Sequence, residues 1–235
     1  MDTKTIQTNL AEINGRIAKA AIAAGKTPDD ITLVAVTKTF DTDVIKNAIN
    51  AGVKHIGENR IQEARSKFTD VPEPGVTRHL IGHLQRNKVK YAVKLFDFIQ
   101  SVDDILLAEE INARCAKFNQ TMPILIQVNT SNEPQKFGCE PREAITLLKA
   151  MDRLPNLFIR GFMTIAIYSD DPEEVRPCFK RLRAIYDEAQ QLQLSNAKID
   201  TLSMGMSSDF EVAIAEGATM VRIGSAIFGD RNPTL

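Results

Sequence analysis

Lys38 closes the first apolar run of the chain, Ile31-Thr-Leu-Val-Ala-Val-Thr-Lys38. A strand that is apolar on both faces belongs in a sheet covered on both sides, so a lysine at its end is directed into a protein interior or an active-site mouth. A desolvated lysine has a lowered pKa and becomes a nucleophile toward carbonyl carbons. The competing reading is a lysine whose stem is covered while its ammonium stays in water, and the run alone leaves both open.

What Lys38 can do depends on the elements that hold it. Strand-like and helix-like segments alternate, with strands expected at 31–38, 54–58, 78–83, 97–101, 123–129, 159–165, 199–205 and 219–224 and helical periodicity between them. A further helix opens the chain near residues 6–24, with apolar positions at Ile6, Leu10, Ile13 and Ile17. Asp41-Thr-Asp43, Ser101-Val-Asp103-Asp104 and Asp170-Asp171-Pro172 supply helix caps, and Gly52 and Gly217 stand where two helices should stop. Alternating units of this kind require parallel strands with right-handed crossovers, and eight of them close naturally into a barrel. The expected fold is α/β, a single (β/α)8 TIM barrel spanning residues 1–235 as one domain, with an extra N-terminal helix. A doubly wound open sheet is the competitor that periodicity does not exclude.

Composition removes several function classes. Twenty-nine basic against thirty acidic residues leave a net charge of -1, so no overall field favours nucleic acid or an anionic membrane. A local concentration of base, Arg78, Arg86, Lys88, Lys90 and Lys94, reads as the solvated face of a helix. Cys115, Cys139 and Cys178 are widely spaced and match neither a disulfide framework nor a zinc site, so no metal is expected. The N-terminus lacks the apolar core of a signal peptide, and no run approaches about 18 apolar residues. A soluble cytoplasmic protein is expected.

In an eight-stranded barrel, chemistry gathers at the C-terminal ends of the strands. Those ends carry Lys38, the pair Glu58 and Asn59, His83, Ser101, Asn129, the pair Met163 and Thr164, the pair Ser207 and Ser208, and the pair Gly224 and Ser225. Strand parity puts Lys38 on a face with Val34 and Val36, and Arg222 on a face with Met220 and Gly224. His55 falls at a strand beginning, where a structural role is expected. Ser207 or Ser208 either caps the helix that follows or, with nearby N–H groups, receives a phosphate. Gly224 and Ser225 form a second small-residue turn where backbone can approach an anion. Phosphate sites in such barrels are frequently built from the loops after strands seven and eight, and closure sets strand eight beside strand one. A phosphate anchor beside a reactive amine describes a pocket for pyridoxal 5′-phosphate (PLP).

Seven stretches in order carry a resemblance: Leu33 to Lys38, Gly57-Glu-Asn-Arg60, His79 to Lys88, Asn129 with Glu133 and Lys136-Phe-Gly138, Gly161-Phe-Met163-Thr, Leu202 to Asp209 and Val221-Arg-Ile-Gly224-Ser. Together they cover residues 31 to about 229, and the chain resembles the PLP-binding homeostasis proteins (the YggS/PROSC-like family), which share the barrel of the alanine racemase N-terminal domain. The resemblance implies a fold-type III PLP-binding barrel in which Lys38 carries PLP as an aldimine. It further implies that Ser207, with Ser208 beside it, Gly224 and Ser225 hold the phosphate and that Arg222 faces the pyridine nitrogen. Asn59 matches a cofactor-wall position, with His83 and Met163 as neighbours. Two departures from the family pattern are Cys139, where a bulky residue is usual, and Arg78, where a tryptophan is frequent.

The resemblance also implies a role in keeping intracellular PLP available yet low in free aldehyde, without turnover. Racemases of this barrel class add an all-β domain and complete the site with a partner chain. The few residues after Ile223 are expected to leave no room for one. An open cofactor face suits exchange better than stereospecific catalysis. The expectation is a monomeric PLP carrier with no catalytic residues, whose partners are PLP and PLP-dependent apoenzymes as recipients, with no nucleic acid and no membrane. The alternatives are a racemase-like PLP enzyme of low activity and a cofactor-free Schiff-base aldolase that uses Lys38 against a phosphorylated sugar.

Overall fold

In the computed structural model, which describes residues 1–69, 74–169 and 171–229, eight parallel strands close on themselves in chain order. They are β1 (Thr32–Val36), β2 (His55–Glu58), β3 (Thr77–Leu80), β4 (Phe98–Val102), β5 (Met122–Gln127), β6 (Leu157–Met163), β7 (Ala197–Ser203) and β8 (Met220–Ile223). Closure runs through β8 and β1, where Thr32 lies opposite Met220 and Ala35 opposite Ile223. An open doubly wound sheet is thereby excluded. Asp170 and residues 230–235, part of the expected capping segment and of the expected domain, lie outside the described residues.

The helical shell follows the capping chemistry. Asp2 accepts from the Thr5 N–H to start α1 (Thr3–Ala23), whose Ile6, Leu10, Ile13 and Ile17 are buried. Asp41 caps α2 (Thr42–Asn50), and α3 (Ile61–Thr69) and α4 (Val89–Leu95) follow. Asp104 caps α5 (Ile105–Lys117), and Asp171 caps α7 (Pro172–Gln190), which comes after α6 (Ala144–Met151). Gly52 and Gly217, with φ of 100° and 102°, take the left-handed backbone just beyond α2 and α8 (Phe210–Ala215). One helix was not anticipated. The four residues of α9 (Ser225–Phe228) follow β8 directly, and α1 braces them through Asn9 Nδ2, which donates to the Ile227 carbonyl at 2.8 Å.

Two apolar layers lie on either side of the sheet. The larger fills the space between strands and helices, while Val34, Phe98, Leu125, Met163 and Met220 form a small inner cluster. Parity thus holds for β1, with Val34 inside and Ala35 outside. The register shifts at Gly161 in β6, whose φ is 142° and where a Cβ would stand 2.0 Å from the Thr201 carbonyl oxygen. The basic residues expected on one helix face are instead dispersed. Arg78 lies on β3 with its guanidinium over the Phe68 ring, Arg86 and Lys88 form a single 3-10 turn, and Lys90 and Lys94 belong to α4. No described helix is long and apolar enough to cross a membrane.

Candidate cofactor site

β1 ends at Val36, two residues earlier than its apolar pattern suggests, so Lys38 stands in a turn rather than in the strand. The Phe40 N–H donates to the Thr37 carbonyl at 3.2 Å to close that turn. Its third position is Thr39, with φ of 70°, a conformation that β-branched residues rarely adopt. The Thr39 N–H is held by Glu63 Oε2 at 3.3 Å. Lys38, half-buried, is therefore presented from a constrained backbone and not from a flexible loop.

Beneath the turn lies a charged clamp in which Glu58, expected at a strand end, is joined by Lys67, which the sequence reading did not single out. Glu58, fully buried at the end of β2, accepts from Thr37 Oγ1 at 2.7 Å and from Lys67 Nζ at 2.9 Å. Lys67, on α3, also donates to the Thr37 carbonyl at 3.0 Å. Burial raises the Glu58 pKa, and the neighbouring Lys67 pulls against that shift. Glu58 Oε2 is buried with no hydrogen-bond partner among the described residues.

Across the β1–β8 seam lies a set of anion-binding groups. The Gly224 and Ala226 N–H groups both aim at Ser207 Oγ, each at 3.4 Å, a separation too long for a strong bond. A Cβ on Gly224 would lie 3.4 Å from Val36, which sets the β8 turn in contact distance of the end of β1. The preceding loop is shaped by Gly205, with φ of 95°, where a Cβ would meet Ala213 Cβ at 2.6 Å. Neither serine caps α8. Asp209 is the N-cap residue, and its carboxylate accepts from the Met206 N–H to close the turn. Ser207 is half-buried and faces the seam, whereas Ser208 and Ser225 are exposed.

Arg222 is 4% exposed and spans the neighbouring strand ends, donating from Nη1 to Ser203 Oγ on β7 at 2.7 Å and from Nη2 to the Thr164 carbonyl just after β6 at 2.8 Å. Burial lowers its pKa to about 10, with the field of Asp209 opposing the shift. It therefore remains a cation at neutral pH and can only donate. Met163 is fully buried in the inner layer below.

Asn59, after β2, and His83, after β3, meet in one cleft shared with Glu63, Gln85 and Lys88. Gly82 permits this approach, because a Cβ there would stand 2.4 Å from the Asn59 carbonyl oxygen. His83 stacks on Phe137 with ring centroids 3.8 Å apart, and its Nδ1 lies 4.0 Å from Asp103 Oδ2. Asn129 braces the loop that carries Phe137, donating to the Glu133 and Lys136 carbonyls at 2.9 and 3.2 Å. Cys139 is buried and its thiol is pushed up to about 12, chiefly by desolvation. Among the described residues no cluster could hold a metal ion.

The Lys38 turn after β1, the Gly224 and Ala226 N–H groups beside the Ser207 hydroxyl, and the buried Arg222 guanidinium thus lie on the adjoining strands β1, β7 and β8 or on the segments that follow them. Those groups fit a compound bearing both a phosphate and an aldehyde.

Comparison with known proteins gives the same direction. The profile of the alanine racemase N-terminal domain family matches residues 2–232. A pyridoxal phosphate homeostasis protein of Aquifex aeolicus is 43% identical over 222 residues, covering 94% of this chain and 96% of its own length. The structure of PipY from Synechococcus elongatus PCC7942 with PLP bound superposes with a TM-score of 0.83 at 35% identity, over 95% of this chain and 100% of that one. Clostridium difficile alanine racemase shares the fold, with a TM-score of 0.78 at 15% identity, over 100% of this chain and 62% of the racemase. By its match along almost the whole sequence, the chain belongs to the alanine racemase N-terminal domain family, among the pyridoxal phosphate homeostasis proteins.

Proposed function

We propose that the protein binds PLP through Lys38 and holds it for use elsewhere in the cytoplasm, without turning over a substrate. The observation that carries this reading is the adjacency of the Lys38 turn to the N–H groups of Gly224 and Ala226 across the β1–β8 seam. When bound, the cofactor supplies an electrophilic aldehyde carbon and an electron-withdrawing ring. The Lys38 amine would hold the group through that carbon, the aldehyde oxygen leaving as water, and Ser207 with the first N–H groups of α9 would receive the phosphate. Asn59 and His83 wall the other side. Arg222 lies toward the ring nitrogen, as the family resemblance implies, and gives it a hydrogen bond without surrendering a proton.

This disposition suits storage. A carboxylate at the position of Arg222 would keep the ring nitrogen protonated, and a guanidinium leaves it a weaker acceptor of electrons. The protein acts as a monomer, with PLP-dependent apoenzymes as recipients. The test is the visible absorption spectrum of the purified protein incubated with PLP, followed by borohydride reduction and peptide mass spectrometry. A yellow band and a reduced adduct on Lys38 support the reading. A colourless protein that cleaves a phosphorylated sugar would replace it with a cofactor-free aldolase.

A further inference from the structure

The interior of the barrel holds a continuous line of polar side chains that the binding reading does not require. It runs from Arg222 at one end of the sheet to His55 at the other. Arg222 Nη1 donates to Ser203 Oγ at 2.7 Å, and Ser203 Oγ donates to Gln100 Oε1 at 2.7 Å. Gln100 Nε2 is 2.9 Å from His79 Nδ1, and His79 Nε2 is 3.1 Å from His55 Nδ1. Ser203, Gln100 and His79 are fully buried, while His55 is half-buried and opens onto a cleft at the N-terminal end of the barrel beside Leu33 and Lys54.

We propose that Ser203, Gln100, His79 and His55 are positioning residues for Arg222, joined in a hydrogen-bond chain that runs in one direction only. A guanidinium can only donate, so Ser203 Oγ accepts from Arg222 and spends its own proton on Gln100. Gln100 must then present its oxygen to Ser203 and its nitrogen to His79. Its nitrogen also lies 3.2 Å from Met220 Sδ, an acceptor that suits an N–H and not a carbonyl oxygen. His79 therefore accepts at Nδ1 and carries its proton on Nε2. That proton goes to His55 Nδ1, which leaves the His55 proton on its own Nε2.

The direction matters for a buried cation. The direct partners of the Arg222 side chain among the described residues are neutral oxygens, those of Ser203 and Thr164. Each dipole in the chain points its negative end toward the guanidinium, and aligned hydrogen bonds polarise one another. Burial drives His79 down to about 3 and holds His55 below its ordinary value, so neither ring competes as a second cation. The inference rests on the PLP reading only for the use to which Arg222 is put.

The first test is the 15N spectrum of the three histidine rings in the unliganded protein, with His83 as an internal reference. Both His55 and His79 are expected as the neutral Nε2–H tautomer. An Nδ1–H form of either would overturn the proposal, with no variant needed and whatever becomes of PLP binding. The second test is PLP affinity in Gln100→Leu, Arg222→Met and the double variant. Gln100→Leu is expected to weaken binding by up to about tenfold in the wild-type background, the scale of one neutral hydrogen bond, and to have no further effect once Arg222 is gone. An equal loss in both backgrounds would show that Gln100 acts on the fold and not through Arg222.

Discussion

Lys67 donates its ammonium to the carbonyl oxygen of Thr37 at 3.0 Å, so a buried cation on α3 grips the peptide that leads into Lys38. The same ammonium neutralises Glu58 at 2.9 Å. Removing it leaves an acid enclosed without its counter-charge. Lys67→Met is expected to destabilise the fold by about 3–5 kcal/mol, the range for breaking a buried pair from one side. The sign of the pH dependence follows from Glu58, whose pKa is raised by burial. Without Lys67 that shift grows. An acid shifted upward contributes stability below its unfolded value and loses it as pH rises through the folded one. The variant should therefore lose most against wild type at neutral and alkaline pH and recover as pH falls toward the ordinary carboxylate range. Denaturant titrations at several pH values check this, and Glu58→Gln in the same background should restore part of the loss.

Lys38→Ala should abolish the borohydride-fixed adduct while leaving weak, phosphate-dependent binding. Lys136 is not expected to substitute. Its ammonium donates to the Ala166 carbonyl at 2.8 Å and pairs with Glu133. Peptide mass spectrometry of the reduced wild-type protein decides the matter, and an adduct on Lys136 or Lys88 would overturn the assignment.

The two adjacent serines should behave differently. Ser207 faces the seam and Ser208 is exposed. Ser207→Ala is expected to cost about 1.5–3 kcal/mol of PLP affinity, the range for a hydrogen bond to a charged group, and Ser208→Ala much less. Affinity for pyridoxal, which lacks the phosphate, should be unchanged by Ser207→Ala. Equal losses for the two ligands would show that the anion groups have been misassigned.

On the proposed contact of Arg222 with the ring nitrogen, which would leave that nitrogen unprotonated, amino acids should be neither racemised nor exchanged at the α-carbon at an appreciable rate. Solvent-deuterium incorporation followed by mass spectrometry measures this directly. Rapid, Lys38-dependent labelling of any common amino acid would return the protein to the enzymes.

The barrel was legible because each unit repeats the same local signals. Apolar runs, aspartate caps at Asp41 and Asp104, and stop glycines at Gly52 and Gly217 all agree with the final topology. Lys38 was legible as an anomaly in an apolar run, although the turn that presents it was not. Thr39 takes a left-handed conformation that nothing in its chemistry announces. α9 was missed because Gly224-Ser225 reads as a loop, and four residues carry too little periodicity to contradict it. The Glu58–Lys67 clamp depends on α3 packing across β2, and the His55–His79 contact depends on parallel register. Such partners share no sequence spacing.

The unequal size of the two apolar layers has a consequence for how this fold can change. Five side chains make up the inner cluster, while the continuous apolar shell lies outside the ring. Most of the hydrophobic stabilisation therefore comes from helices pressed on the outer face, and little depends on filling the inside. A ring supported from without has its interior at liberty to carry charge and polar groups. Descendants of such a fold could exchange one interior chemistry for another while keeping the same external skeleton.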